Sequence, residues 1–105
     1  MLSFALLALA VPTISSDLTA SQLESACGDE KAAASELCRT YLIGGVNTMT
    51  DPNSSFRRIC TPAAANLDAF KATYSAYLQK HPSEATRPAV IVILEAFEQA
   101  YSCAT

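Results

Sequence analysis

Four cysteines, Cys27, Cys38, Cys60 and Cys103, are spread along a chain of 105 residues. They constrain the fold more than any other feature. An even cysteine count in a small exported domain reads as two disulfides. Their spacing fits no zinc template: there is no C-x-x-C, and His81 is the only histidine. The missing C-x-x-C also removes a redox motif. A core built from fewer than about 100 residues is marginal on its own. Two cross-links, each closing a loop of more than about ten residues, would add about 2–4 kcal/mol apiece. The cysteines therefore read as staples, not as chemistry.

Export has its own signal. Residues 4–11, FALLALAV, are an unbroken apolar run followed by Pro12 and small polar residues. Such a run is too short to span a bilayer, which takes about twenty apolar residues. It fits the apolar centre and cleavage zone of a secretory signal peptide covering residues 1–16, cut after Ala10 or Ser16. No Lys or Arg precedes the run, which a start farther upstream, or a misassigned start, would account for. The expectation is a leader at 1–16 and one domain at 17–105, with no membrane segment in the mature form.

Charge excludes one class of partner. The net charge is −3 and only 16% of residues are charged. The acidic residues are scattered, and the only adjacent basic pair is Arg57-Arg58. Nucleic-acid binding needs clustered Lys and Arg. With half the residues apolar, the chain is not a disordered tail.

The body reads as helices, because no segment alternates apolar and polar residues over six positions. A short first helix spans about 19–26, capped by Thr19 or Ser21, with Leu23 and Ala26 inward and Gly28 as its stop. A second begins near Asp29 as cap, with Glu30 in the first turn. Ala34, Leu37, Cys38, Tyr41, Leu42, Gly45 and Met49 form its inward face at helical period. Gly44-Gly45 costs about 1–2 kcal/mol in a helix interior relative to alanine, which close approach of another helix would offset. A phosphate loop would need more glycines after a strand.

Residues 50–60, TDPNSSFRRIC, are turn chemistry. A third helix is expected from Thr61-Pro62, a cap followed by proline at the first helical position. Its inward stripe is Leu67, Phe70, Tyr74, Tyr77 and Leu78. These aromatics read as core, since they lack the interleaved basic residues of a base-stacking surface. Pro82 disfavours helical geometry at His81, so this helix stops there. Lys80 and His81 suit its C-terminal dipole. A catalytic histidine would want a nucleophile and an orienting acid, and no motif supplies either. A fourth helix, from about Arg87-Pro88 to Ser102, carries Val90, Ile91, Val92, Ile93 and Leu94. That run is wider than one stripe and predicts a central helix covered on several sides.

The order of these features resembles the type VI secretion amidase-immunity family, the Rap/Tai immunity proteins. Their pattern is a cysteine, then C-x-G-Y-I-x-G, C-x-P, Y-L-x-x-H-P, and P-A leading to A-L-x-x-A-F-P-C. The matching residues begin with Cys27, then Cys38, Tyr41, Leu42 and Gly44, then Cys60 and Pro62. Tyr77, Leu78, His81 and Pro82 follow, then Pro88, Ala89, Ala96, Phe97, Ala100, Tyr101 and Cys103. The match runs over about residues 20–103. Thr40, Asn47 and Ser102 depart from it, as does AAANLD after C-x-P, which lacks the family's frequent glutamine.

The resemblance implies a small all-α, disulfide-stapled four-helix domain, similar in fold to the acid-stress chaperone HdeA. It implies a periplasmic inhibitor that binds a peptidoglycan amidase effector, protects the producing cell and commonly dimerises. The residues themselves call for no cofactor, no metal and no catalysis, since no nucleophile, base or metal set is visible. A rigid protruding loop suits such an inhibitor, because rigidity lowers the ordering cost of binding. The longest irregular segment, 47–59, is the expected contact, with Asp51, Asn53, Phe56, Arg57 and Arg58; the 80–87 turn is the second candidate. Phe and Arg are enriched at interface hot spots, although Phe56 serves equally well as a core residue under the loop.

Four cysteines allow three pairings. If residues 50–60 run back along the second helix, Cys60 meets Cys38 and Cys27 is left with Cys103; that is the expected pairing. Two other classes stand beside the inhibitor. A periplasmic chaperone would open in acid, which ten carboxylates permit without singling out. An enzyme would need a nucleophile, base or metal set that the sequence does not display.

Overall fold

The computed structural model describes residues 18–53 and 59–103. The leader reading at 1–16 and the candidates Phe56, Arg57 and Arg58 therefore lie outside the described residues. Four α-helices follow in order: α1 (Ala20–Cys27), α2 (Ala32–Thr50), α3 (Leu67–Lys80) and α4 (Ala89–Ala100). A 3₁₀ turn, Pro82–Thr86, joins α3 to α4. The described residues contain no strand, only two isolated antiparallel bridges, Thr19 with Pro88 and Ile59 with Ser102. The protein is an all-α domain.

Local chemistry fixes the helix ends. Thr19, not Ser21, caps α1: its Oγ1 accepts from Gln22 N at 3.2 Å, and Gln22 Oε1 accepts from Thr19 N at 2.9 Å. This reciprocal pair satisfies two otherwise orphaned amides. Gly28 ends the helix, its amide bonding back to Glu24 O at 3.2 Å. Asp29 does not cap α2. Its Oδ1 accepts from Lys31 N at 2.9 Å, which shapes the turn, and α2 starts at Ala32.

The third helix starts later than Thr61-Pro62. Asn66 is the cap, accepting from Ala69 N at 3.0 Å, with Asp68 in the first turn. Asparagine caps at least as well as threonine. The chain at 59–60 is also committed elsewhere, through the Ile59–Ser102 bridge and a 2.7 Å bond from Cys60 N to Tyr101 O. At its other end, α3 closes on His81, whose amide bonds to Tyr77 O at 2.9 Å. The histidine acts as a helix stop, with its ring 4.3 Å from that of Tyr77.

The core confirms that α4 is central. Ala89, Val92, Ile93, Ala96 and Phe97 are buried, and α4 packs against α1, α2 and α3. Leu23, Leu42, Met49 and Tyr74 complete the interior. Phe70, Phe97 and Tyr101 form an aromatic cluster with centroids 5.6–5.9 Å apart, within the spacing aromatic pairs prefer. Tyr74 spans the core and donates its hydroxyl to Ala20 O at 2.8 Å.

The disulfides are Cys27–Cys38 and Cys60–Cys103, each with Cα atoms 4.9 Å apart. This corrects the expected pairing of Cys38 with Cys60 and of Cys27 with Cys103. Ile59 and Cys60 do not lie back along α2. Ile59 N bonds to Met49 O at 3.1 Å, so Cys60 lies near the C-terminal end of α2. Eleven residues of helical rise put that end about 16 Å from Cys38. Cys38, in the second turn of α2, instead faces the end of α1 across a four-residue connection.

Candidate partner-binding site

The two expected binding segments differ in how their residues are used. The first is an excursion whose ends are pinned together. The chain leaves α2 at Met49 and Thr50 and returns at Ile59, where Ile59 N meets Met49 O at 3.1 Å. One residue on, Cys60 is tied to Tyr101 O by its amide and to Cys103 by its sulfur. Thr50 Oγ1 donates to Val46 O at 2.8 Å, finishing the last turn of α2. The outgoing limb is then bent by Asp51, whose Oδ1 accepts from Asn53 N at 2.9 Å. This is an Asx turn, formed because a short carboxylate can reach the amide two residues on. The structure thus brings Asp51 and Asn53 together on an exposed turn.

The second segment, 80–87, is spent on the fold. Ala20 N donates to Arg87 O at 2.9 Å, and Ala89 N donates to Leu18 O at 2.8 Å. The starts of α1 and α4 are thereby stitched together. The Arg87 guanidinium holds Glu84 Oε1 and reaches both oxygens of Glu95, at 3.1 and 2.9 Å. Tyr77 adds its hydroxyl to Glu95 Oε1 at 3.2 Å. Partial burial pushes the Glu95 carboxyl upward, but hydrogen bonds with Arg87, Glu84 and Tyr77, together with the Arg87 charge, outweigh it and hold the group below its ordinary range. Partial burial, then the Glu95 contact, raises the Tyr77 phenol.

Sequence reasoning missed this node. Arg87 and Glu95 are eight residues apart on either side of a helix start, so no periodicity links them. A third feature is an apolar groove of about 200 Å³ between α2 and α4, lined by Tyr41, Gly44, Thr48, Val90 and Leu94. Beside it on α4 lies Ile91, 36% exposed.

Among the described residues, no group of three or more His, Cys, Asp or Glu side chains is placed to hold a metal ion. No described helix is long and apolar enough to cross a membrane. Two disulfides point to an oxidising compartment. No curated protein and no solved structure matches the chain. The sequence profile of the Rap1a immunity proteins matches residues 19–103, a span that takes in all four helices and both disulfides. On that match, the chain belongs to the family of Rap1a immunity proteins.

Proposed function

We propose that the protein is exported to the periplasm, where it binds and inhibits a peptidoglycan amidase delivered by a type VI secretion system. It thereby protects the cell that makes it. Family membership supports the immunity role. The observation that carries the mechanism is the pinned base of the 50–58 excursion: one backbone bond to α2, one to the end of α4, and a disulfide. A segment anchored in this way costs less ordering entropy on docking.

In this reading Asp51, Asn53, Phe56, Arg57 and Arg58 meet the amidase, and inhibition is by covering its cleft rather than by catalysis. The apolar run at 4–11 supplies the export signal, and the disulfides suit the compartment. A homodimer is the expected resting form, to be read by sedimentation. Co-expression tests the reading. Full-length protein should rescue cells that export its cognate amidase, and protein lacking residues 1–16 should not. Lysis of both strains would count against the proposal.

A further inference from the structure

The two disulfides differ in access. Cys38 is 1% exposed and belongs to the core, and its bridge to the half-buried Cys27 lies where α1 meets α2. Cys60 is exposed and Cys103 half-buried. Thiol–disulfide exchange needs a thiolate to reach a sulfur, so access decides which bridge reacts. The two bridges also differ in what depends on them. Cys27–Cys38 staples two helices whose faces make up much of the interior. Cys60–Cys103 joins the segment entering α3 to the tail of α4, and of the residues it joins directly, with their neighbours 59 and 101–102, only Ile59 is in the buried core.

We propose that Cys60–Cys103 is a redox-addressable clasp, opened by a dithiol reductant while Cys27–Cys38 and the helical core stay intact. A thiolate of the reductant attacks the sulfur of Cys60, the exposed residue of the pair. The S–S bond breaks, and Cys103 leaves as a thiolate and takes up a proton. The second thiol of the reductant then closes on the mixed disulfide and releases Cys60 as a thiol. Two electrons pass to the protein, and the reductant ends as a disulfide.

Opening removes the covalent tie across the Ile59–Ser102 bridge and leaves the Cys60 N–Tyr101 O bond as its main remaining link. The Tyr101 ring keeps its places against Phe70 and Phe97 and its 2.9 Å bond to Thr73, so the end of α4 stays seated. The incoming limb of the 50–58 excursion loses one of its three anchors. Resting on the proposed function, this weakens partner binding in a reducing environment and restores it on oxidation.

The test treats the folded, oxidised protein with rising dithiothreitol, quenches with iodoacetamide, and maps alkylated cysteines by mass spectrometry, with circular dichroism in parallel. Cys60 and Cys103 should be labelled at least about tenfold faster than Cys27 and Cys38, with helicity retained. Equal rates, the reverse order, or helix loss in step with the first labelling would overturn the clasp. The half-reduced protein and the double variant Cys60→Ser, Cys103→Ser are then titrated with the amidase. Binding about tenfold weaker than that of the oxidised form is expected, and unchanged binding overturns the regulatory consequence. Absent binding by the oxidised form would defeat the immunity reading, while the labelling order would still decide the clasp.

Discussion

Gly45 of α2 lies so close to Ile93 of α4 that a β-carbon built on it would sit 2.7 Å from the Ile93 Cγ2 methyl. No real pair of carbons tolerates that distance without movement. The glycine therefore sets the spacing of the two helices, and its cost to α2 is offset by their close contact. Gly45→Ala should gain about 1 kcal/mol of helix propensity and lose more to overpacking, for a net destabilisation of about 1–2 kcal/mol. Denaturant melts of Gly45→Ala, Ile93→Ala and the double variant would check it. The double variant should cost less than the sum, because removing the Ile93 branch clears the clash.

Tyr74 ties α3 to the start of α1. Tyr74→Phe removes the 2.8 Å bond to Ala20 O, which should cost about 1 kcal/mol. Burial, and then the Glu24 charge, raises the phenol's pKa well above its ordinary value. The folded state therefore keeps a proton that the unfolded chain releases near pH 10. Stability from this group is complete below that pH and falls as pH rises above it. Alkaline melts should show this loss in the native protein, and a smaller one in Tyr74→Phe.

The Arg87–Glu95 pair gives the opposite dependence. Glu95 is held below its ordinary range, so its contribution is present above about pH 4 and disappears as pH falls through its lowered folded value. Arg87 and Glu95 are 42% and 37% exposed, so solvent screens the pair and the effect is small. Glu95→Gln should flatten the acid side of the Tm-versus-pH curve.

The disulfides are not equivalent in stability either. Cys60–Cys103 spans 43 residues of sequence and Cys27–Cys38 spans 11. In the chain-entropy account these close loops worth about 4 and about 3 kcal/mol respectively. Non-reducing peptide mapping should recover these two pairs. Serine replacement of Cys60 and Cys103 should lower the denaturation midpoint more than replacement of Cys27 and Cys38 does through loop entropy alone. The buried position of Cys38 adds a packing loss to the second variant.

The helices were legible in the sequence because their signals are local: a hydroxyl cap at Thr19 or Ser21, the period of Leu37, Cys38, Tyr41 and Leu42, and Pro82 after His81. The Gly45 contact was legible too, because a glycine at an inward helical position implies a close neighbour. One local signal misled, since Asp29 closes a turn on Lys31 N instead of capping α2; the other failures were non-local. The pairing of Cys60 depended on whether Ile59 and Cys60 lay back along α2 or at its end. That was decided by one bond between Ile59 and Met49 and by the arrival of Tyr101, neither of which leaves a periodic trace. The late start of α3 has the same origin, since Cys60 is held by the tail of α4 and Asn66 is the first free cap. Of the five residues expected to meet a partner, Asp51 and Asn53 share a turn whose motif the sequence displays. Phe56, Arg57 and Arg58 lie outside the described residues.

Titration calorimetry most directly tests the central claim, that this is an immunity protein acting through the pinned 50–58 segment. The oxidised protein and its Arg57→Ala, Arg58→Ala variant would each be titrated into the product of the adjacent gene, with peptidoglycan cleavage followed in parallel. The account predicts a dissociation constant in the nanomolar range (about −12 kcal/mol) with cleavage stopped, and binding weaker by about tenfold or more in the variant. No heat of binding with cleavage undiminished would contradict the immunity role. Tight, inhibitory binding that the variant leaves unchanged would contradict the assignment of the segment.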